Sequence, residues 1–525
     1  MIRYIKAHPL AAVVAAAILL RLLAAIFSKG FMASDDHFET VHIAYRWLQD
    51  GLFGADGLVH WKGRAAETFP RFPLYTVALF FNMKLVHALG YETLNDIMYG
   101  VRLVHALFSL IGIWAVYRII EMVAGSRKWA AVGGLFMAVH FVMPYLSVRN
   151  SIEMVAGIFW VVMLYCFYRY RQQPHVSWLA AAGLFTGLAW MIRFQLIAAF
   201  PIIPLVLWYE YRRLRPAVGY GVALLATILL AGLADWWLMG TFMGSTINHI
   251  VQNVKTGPVY DSSFLLHFGV ILVYFIPPFS VVGFYLACRR RFFGRHLVLT
   301  VSTLAFVLVH TMLNNRQERF MISMLPALGV ILVLALQQHF AEEGFLSRMK
   351  KFRYALFGSA VAINLVLLFP FTLHYGHRGL VEPLVRIECL SIITPNVLFF
   401  SPDCYRNVPY YYGGFQPIGR SYCYSWQDLD KVLPEDSDHL FDYFLLYPTA
   451  TADLSLYEDS LTHRVGPIEM VLHIEPSLID HILHRLNPRH NPSWEAWVYR
   501  PAPERSGTPD HISGPTASVG KQPEG

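Results

Sequence analysis

The chain has 525 residues, of which 56% are hydrophobic and only 15% charged, with a formal charge of +7. A soluble domain carries about 25% charged residues, and one soluble core of this length needs far more polar surface than this composition supplies. A soluble globular enzyme, a disordered chain and a coiled coil are excluded, and apolar runs of about 20 residues leave a polytopic helical membrane protein.

The first run, 8–27, follows Arg3 and Lys6. Its basic start has the look of a signal peptide, but the apolar stretch is too long and many more runs follow, so it reads as a retained first span. Later apolar runs cover roughly 101–124, 129–147, 152–168, 177–193, 195–210, 217–239, 264–287, 297–313, 320–338 and 354–373. Basic clusters fall in alternate gaps: Arg127-Lys128, Arg169 and Arg171, Arg212-Arg213-Arg215, Arg289 to Arg295, and Arg348 to Arg353. The positive-inside rule makes these gaps cytoplasmic. The outer side then holds a large first loop, 28–100, the short segments 148–151, 239–263 and 314–319, and everything after 374. Residues 72–89 break the parity. They read as a helix lying in, or re-entering from, the outer interface, with a true span as the other reading; the count is 11 spans, or 12. The expected fold is an all-α polytopic membrane module over 1–374. After it, short β-type runs such as Asn396–Phe400 and His439–Tyr447 predict a small α/β extracytoplasmic domain over 375–500. The Pro-, Gly- and Ser-rich end, 501–525, is expected to be disordered.

Four polar clusters gather on the outer side. The first is Ser34-Asp35-Asp36-His37-Phe38-Glu39, where one carboxylate would suffice as a helix cap. The bland reading caps an interfacial helix with Ser34 or Asp35 and turns the rest to water. The second is Arg149-Asn150-Ser151-Ile152-Glu153, a good helix start that leaves an Arg on the wrong face for the charge bias. The third is Arg193-Phe194-Gln195, also readable as a hairpin with a snorkelling Arg. The fourth is Asn314-Asn315-Arg316-Gln317-Glu318-Arg319-Phe320, ahead of a span containing Pro326. It reads as a salt-bridged loop or as an anion site, because Arg suits phosphate oxygens and stays charged. Four clusters at one membrane boundary suggest a ligand with an apolar part in the bilayer and an anionic head at the surface. A polyprenyl phosphate has that form. Arg21, inside the first span, is either a functional residue or a snorkelling one.

These residues resemble those of the membrane mannosyltransferases that use dolichyl-phosphate mannose, the GPI-anchor and lumenal N-glycan α-mannosyltransferases of glycosyltransferase family 22, which have the GT-C fold. The family's acidic first-loop motif P-D-E-x-F is similar to Ser34-Asp35-Asp36-His37-Phe38. Its Trp and R-S-x-L-x-P pattern is loosely echoed by Trp61 and Arg71-Phe72-Pro73-Leu74-Tyr75. Its R-x-x-S-N-S-x-E segment resembles Arg149 to Glu153, and its H-K-E-x-R-F motif resembles Asn315-Arg316-Gln317-Glu318-Arg319-Phe320. A C-x-x-x-P-Y-Y segment is similar to Cys404 to Tyr411. The departures are Asp for the second acid and Asn315, Arg316 and Gln317 for His, Lys and Glu.

The resemblance implies an inverting transfer of a sugar, mannose first, from a polyprenyl-phosphate donor to a hydroxyl of a glycan or glycolipid. Such chemistry needs one base for the acceptor proton. Phosphate is already a good leaving group, unlike the leaving group of glycoside hydrolysis, and fixed cations stabilise its developing charge. Asp35 or Asp36 is the expected base, its neighbour orienting the acceptor. Arg316 and Arg319, with Arg193 as a further candidate, are expected to hold the donor phosphate. His37, Glu39, Arg71, Arg149, Glu153, Gln317 and Glu318 are expected to support the site or the acceptor. No metal or other cofactor is required, and the composition is assigned to the bilayer rather than to nucleic acid. A GT-C transferase of aminoarabinose or another pentose is the alternative enzyme. A lipid-linked sugar flippase would place its polar residues nearer the midplane, and a third class is a non-catalytic membrane subunit. Cys389, Cys404 and Cys423 face the oxidising side, with Cys404–Cys423 the pair to consider. Asn-x-Ser/Thr acceptors are absent apart from Asn491-Pro492-Ser493, where Pro forbids modification. That leans toward a bacterial inner membrane with a periplasmic site, the endoplasmic reticulum being the other location.

Overall fold

The computed structural model describes residues 7–33, 37–53, 60–61, 64–65, 71–256, 263–313, 316–391, 395–400, 409, 412, 422–423, 441–448, 451–488, 491 and 494–502. The chain forms two compact units. The first comprises Met1–Arg386 with Asn407–Gly414 and Glu475–Trp494; the second comprises Ile387–Arg406, Phe415–Ile474 and Glu495–Gly525.

The first unit is helical. Its helices are α1 (Pro9–Phe27), α2 (His42–Asp50), α3 (Leu74–Ala88), α4 (Leu94–Ala124), α5 (Arg127–Val139), α6 (Ile152–Gln172), α7 (Val176–Ile192), α8 (Ile202–Tyr211), α9 (Leu214–Met239), α10 (Gly244–Thr256), α11 (Leu266–Tyr274), α12 (Phe279–Ala287), α13 (Leu297–Met312), α14 (Leu325–Ala341), α15 (Lys350–Thr372) and α16 (Arg378–Leu390). Hydroxyl side chains start several of them. Thr93 accepts the Asp96 amide at 3.2 Å and Ser151 the Met154 amide at 3.3 Å, each filling one of the orphan donors of a helix start.

Among the described residues, seven helical stretches are long and apolar enough to cross a membrane: α1, α4, α6, Phe194–Tyr211, α9, Glu318–Ala341 and α15. The pair α11 and α12, bent by 112°, makes an eighth if it is one span, and α3, α7 and α13 are shorter apolar helices. The protein is an integral, multi-pass membrane protein. Length and apolarity thus single out fewer spans than the 11 or 12 expected, because the runs 129–147 and 264–287 are broken and the runs 177–193 and 297–313 form helices of only 17 and 16 residues. The run 264–287 breaks between Tyr274 and Phe279, where Pro277 and Pro278 have no N–H to donate. The run 195–210 opens as a 3₁₀ turn, Phe194–Ala198, before α8, and still counts as a span. The run 129–147 stops at Val139 and resumes as the short turn Met143–Ser147. The helix read at 72–89 is α3; its 15 residues make about 22 Å at 1.5 Å per residue, against a hydrocarbon core of about 30 Å.

Burial separates the inner helices from the outer ones. In the stretch that ends with α14, 94% of the most apolar window is buried, whereas in α15 the figure is 17%. On α15, Leu365, Val366 and Phe369 are exposed, a face that only lipid can cover at low cost.

Two polar side chains mend the break at Val139. Arg21 is 1% exposed and donates to Ser109 Oγ at 2.6 Å and to the carbonyls of Ala138 and Met137 at 3.2 Å. Asn364 donates to the Val139 carbonyl at 2.9 Å and accepts the Phe141 amide at 2.8 Å. The last carbonyls of a helix have no partner within it, and in a membrane interior water cannot supply one. Arg21 is therefore an internal helix cap, neither snorkelling nor free for chemistry.

The second unit contains a five-stranded sheet of β1 (Val397–Phe400), β2 (Tyr422–Cys423), β3 (Tyr443–Leu446), β4 (Ile468–Ile474) and β5 (Ala496–Pro501) in the order β2-β1-β3-β5-β4. β1 pairs in parallel with β2 and β3, while β5 runs antiparallel to β3 and β4. The helix Thr451–Val465 covers it. Leu398, Phe400, Phe444 and Leu446 from the strands pack with Tyr457, Leu461 and Val465 from the helix. The fold class, an all-α membrane module with a small α/β unit, is the one the sequence predicts, but the division does not fall at 374: the first unit runs on to Arg386 and takes in Asn407–Gly414 and Glu475–Trp494.

Candidate active site

Arg149 ties together the non-basic ends of the first and last spans. It is 2% exposed. Nη1 donates to the Gly30 carbonyl at 2.6 Å; Nη2 donates to Ser28 Oγ at 2.7 Å and to the His374 carbonyl at 2.9 Å. The guanidinium also lies over the Tyr145 ring, 4.5 Å from its centroid. Ser28 Oγ in turn donates to the His374 carbonyl at 2.7 Å. The strand-like segments after α1 and α15 pair at Gly30 and Gly376, with the Gly376 amide donating to Lys29 at 3.0 Å. Gly30 has φ +74°, and a Cβ there would sit 1.9 Å from the Gly376 carbonyl oxygen, so both conformation and space demand glycine. Arg149 is thus the clamp that fixes how the chain leaves α1.

The expected acids, Asp35 and Asp36, lie outside the described residues, as do Asn314 and Asn315 and the cysteine pair's Cys404. Their flanks are defined. Met32 and Ala33 line a small cavity with Arg149, Asn150 and Ser151. The His37 amide donates to the Ala33 carbonyl at 3.0 Å. The His37 ring is fully buried, stacked 4.7 Å from Phe31 and 5.7 Å from Tyr412, with the Asn150 side chain as a hydrogen-bonding neighbour. Burial, with His42 and Arg149 nearby, holds its pKa down to about 3, so at neutral pH the imidazole is uncharged. Two residues on, Glu39 accepts from Arg71 Nε at 2.5 Å. This pair joins the acidic loop to the turn that starts α3.

Glu153 and Arg193 meet across the helix bundle, Oε1 to Nη2 at 3.1 Å, with side chains 0% and 3% exposed. Ser151 Oγ donates to Glu153 Oε2 at 3.0 Å while also capping α6. The Arg193 guanidinium lies over the Phe320 ring at 4.8 Å, which brings the 193 and 314–320 clusters together. Arg319 Nε donates to Gln317 Oε1 at 2.7 Å, and Arg316 Nε to the Thr311 carbonyl at 2.9 Å. His267 Nε2 and the Gln317 carbonyl are 3.2 Å apart. Arg316, Gln317 and Arg319 are half-buried; Glu318 is exposed. Arg193 therefore spends its charge on a buried carboxylate, while Arg316 and Arg319 sit nearer the surface.

The sequence reading missed a group at the end of α15. His374 Nδ1 and Ser477 Oγ are 3.1 Å apart, and His374 Nε2 lies 3.6 Å from Asp480 Oδ1. Ser477 caps the helix Leu478–Leu486 through the Asp480 amide, and Asp480 Oδ2 accepts the Arg378 amide at 3.4 Å. His377, at φ 50°, places its ring 4.5 Å from Phe31. Burial pushes the Asp480 carboxyl up, opposed by His377, and pushes the His377 imidazole down, opposed by Asp480. Gly376 and His377 directly after a span were the one local sign; the pairing with a helix a hundred residues on leaves no mark in the sequence. Among the described residues, no three His, Cys, Asp or Glu side chains converge as metal ligands.

Comparison with solved structures gives the fold a precedent. ArnT from Cupriavidus metallidurans superposes with a TM-score of 0.58 over 95% of this chain and 98% of its own, at 13% identity. The same protein bound to undecaprenyl phosphate gives 0.56. The Archaeoglobus fulgidus oligosaccharyltransferase gives 0.52 at 10% identity, covering 88% of this chain and 72% of its own. A family model described as dolichyl-phosphate-mannose-protein mannosyltransferase matches residues 80–236. In sequence, the chain is 23% identical over 490 residues to the GPI alpha-1,2-mannosyltransferase 3 of Bos taurus, covering 89% of this chain and 84% of that one. The chain is a membrane glycosyltransferase with the GT-C fold. Its resemblance to the mannosyltransferases, drawn above from ordered motifs, is thereby borne out at the level of fold and enzyme class.

Proposed function

We propose that this GT-C glycosyltransferase moves a sugar, mannose in the first reading, from a polyprenyl-phosphate carrier to a hydroxyl of a glycan or glycolipid on its outer face, with inversion. The observation that carries the reading is the joining of the polar clusters: Glu153 of the second pairs with Arg193, whose guanidinium shares the Phe320 ring with Arg319, while Arg149 lines a cavity with Met32 and Ala33 at the flank of the acidic loop. In this reading an amphipathic donor with its phosphate at the membrane boundary meets Arg316 and Arg319, and the acidic loop supplies the base.

In the proposed chemistry, Asp35 or Asp36 takes the acceptor proton as the acceptor oxygen attacks the anomeric carbon. The bond to phosphate breaks, and the charge left on the phosphate is met by Arg316 and Arg319. Arg193, neutralised by Glu153, holds Phe320 and so sets the position of that loop. Arg149 and the His37 cage hold the acidic loop. His37, uncharged at neutral pH, is a packing residue in this scheme. Glu39 and Arg71 brace the loop from the other side.

A second reading keeps the alternative drawn from the sequence, an aminopentose as the sugar; undecaprenyl phosphate, bound in the ArnT structure, is then the carrier. Asn315, Arg316 and Gln317, where the mannosyltransferases have His, Lys and Glu, fit a changed substrate. The protein, assayed in proteoliposomes with labelled polyprenyl-phosphate mannose and labelled polyprenyl-phosphate aminoarabinose, decides between the two. The sequence carries no glycosylation acceptor outside Asn491-Pro492-Ser493, which favours a bacterial inner membrane with a periplasmic site, the endoplasmic reticulum membrane with a lumenal site being the alternative location.

A further inference from the structure

The opposite, basic face carries a built cavity that the transfer scheme does not use. It lies at the ends of α12 and α14, with a volume of about 190 Å³, and Arg289, Arg291, Phe292, Gln338, His339 and Glu342 line it. His339 is 2% exposed. Its Nε2 accepts the Leu346 amide at 3.2 Å, which fixes the neutral tautomer and leaves the proton on Nδ1. That buried Nδ1 has no hydrogen-bond partner. Gln338, 8% exposed, donates through Nε2 to Glu342 at 2.8 Å, while its buried Oε1 also lacks a partner. Arg291 is ion-paired with Glu342 at 3.1 Å; Arg289 brings the second positive charge.

The vacant groups are therefore complementary to one kind of molecule. An N–H donor beside an arginine suits a phosphate oxygen, and a lone carbonyl acceptor suits a hydroxyl. An unsatisfied buried donor or acceptor costs free energy until something pairs with it. The wall below is apolar, with Phe292 buried and Leu286 beside it, and it stands where the spans end at the basic boundary, which attracts anionic lipid. We propose that this cavity binds the phosphodiester headgroup of an anionic, hydroxyl-bearing phospholipid from the leaflet on the basic side. Phosphate goes to Arg289 and His339 Nδ1, and a headgroup hydroxyl donates to Gln338 Oε1. Gly344 makes room: a Cβ there would lie 1.9 Å from His339 Cε1 and 2.3 Å from Nδ1, so any side chain displaces the ring.

The test uses the full chain, delipidated and titrated with phosphatidylglycerol, phosphatidylcholine and, separately, sn-glycerol phosphate, with bound lipid counted by native mass spectrometry. One phosphatidylglycerol binds at least tenfold more tightly than phosphatidylcholine. R289A and G344A each lose at least tenfold, while R213A, in another basic loop, stays within twofold. Equal retention by R289A and wild type, or by the two lipids, overturns the proposal. So does sn-glycerol phosphate that competes as well as the lipid, which makes the site one for a soluble phosphate. Should G344A fail to fold, R289A alone decides.

Discussion

Replacing Glu153 with Gln isolates the most deeply buried charge pair in the molecule's candidate site. At 3.1 Å two unit charges attract by about 5 kcal/mol with an effective dielectric constant of 20. Removing one partner leaves the Arg193 guanidinium, 3% exposed, without a compensating anion, a change that costs roughly 3–5 kcal/mol in buried pairs. The Gln side chain keeps one oxygen, which can face Arg193 while its NH2 donates to Ser151 Oγ, so the loss falls at the lower end, about 3 kcal/mol. Removing both charges is cheaper than removing one, because an apolar replacement of a buried pair is often neutral. The measurement is a double-mutant cycle of E153L, R193M and E153L/R193M, with E153Q alongside, by thermal unfolding in detergent with chain integrity monitored. The expected order puts E153L, E153Q and R193M all below the double variant. A double variant whose loss equals the sum of the singles refutes the pairing, since independent sites add.

Arg149→Lys, with one compact ammonium in place of a fork, cannot serve Gly30, Ser28 and His374 together, and two buried acceptors left unpaired cost about 1–3 kcal/mol each; the readout is faster proteolysis near residue 30 and a lowered melting temperature. Asn364→Ala leaves the Val139 carbonyl and the Phe141 amide without partners, again about 1–3 kcal/mol each, measured as lost thermal stability with little change in substrate KM. Burial holds both His37 and His374 down to about 3, while each titrates near 6.5 in the unfolded chain. The folded state therefore refuses protons that the unfolded state takes, so their contribution is full above pH about 6.5 and declines as pH falls from there toward 3, by up to about 1.4 kcal/mol per pH unit for each histidine. Melting curves of wild type and H37Q between pH 7.5 and 4.5 test this: the variant's dependence is flatter, and parallel curves contradict it. Arg319→Ala raises KM for the lipid donor about tenfold or more while KM for the acceptor holds, as read by donor titration in proteoliposomes.

Much of the architecture was legible because a membrane imposes simple demands. Apolar runs and alternate basic gaps mark the spans, and the hydroxyl before α6 marks its start. What stayed hidden is long-range pairing. Glu153 reads locally as a first-turn acid, which it is; that its partner is Arg193 shows only when α6 and the end of α7 are side by side. Arg21 was undecidable because its acceptors are backbone carbonyls at a helix break, and nothing near Val139 announces that break, the nearest Pro being Pro144. The 314–320 segment reads as a cation cluster, and its Arg319 shares the Phe320 ring with Arg193, while Arg316 lies over Phe264 instead. His374, His377 and Asp480 escaped notice because histidines near a span end are common, and only the folded chain brings the helix Leu478–Leu486 to them.

The central claim is sugar transfer from a polyprenyl-phosphate carrier by way of the acidic first loop. Purified protein in proteoliposomes, given a labelled polyprenyl-phosphate sugar and a membrane glycan acceptor, is predicted to move label from the lipid to the acceptor. At least one of D35N and D36N, at normal protein level, is predicted to lose that transfer while still retaining the donor lipid. Full activity in both variants, or no transfer from any polyprenyl-phosphate sugar, would contradict it.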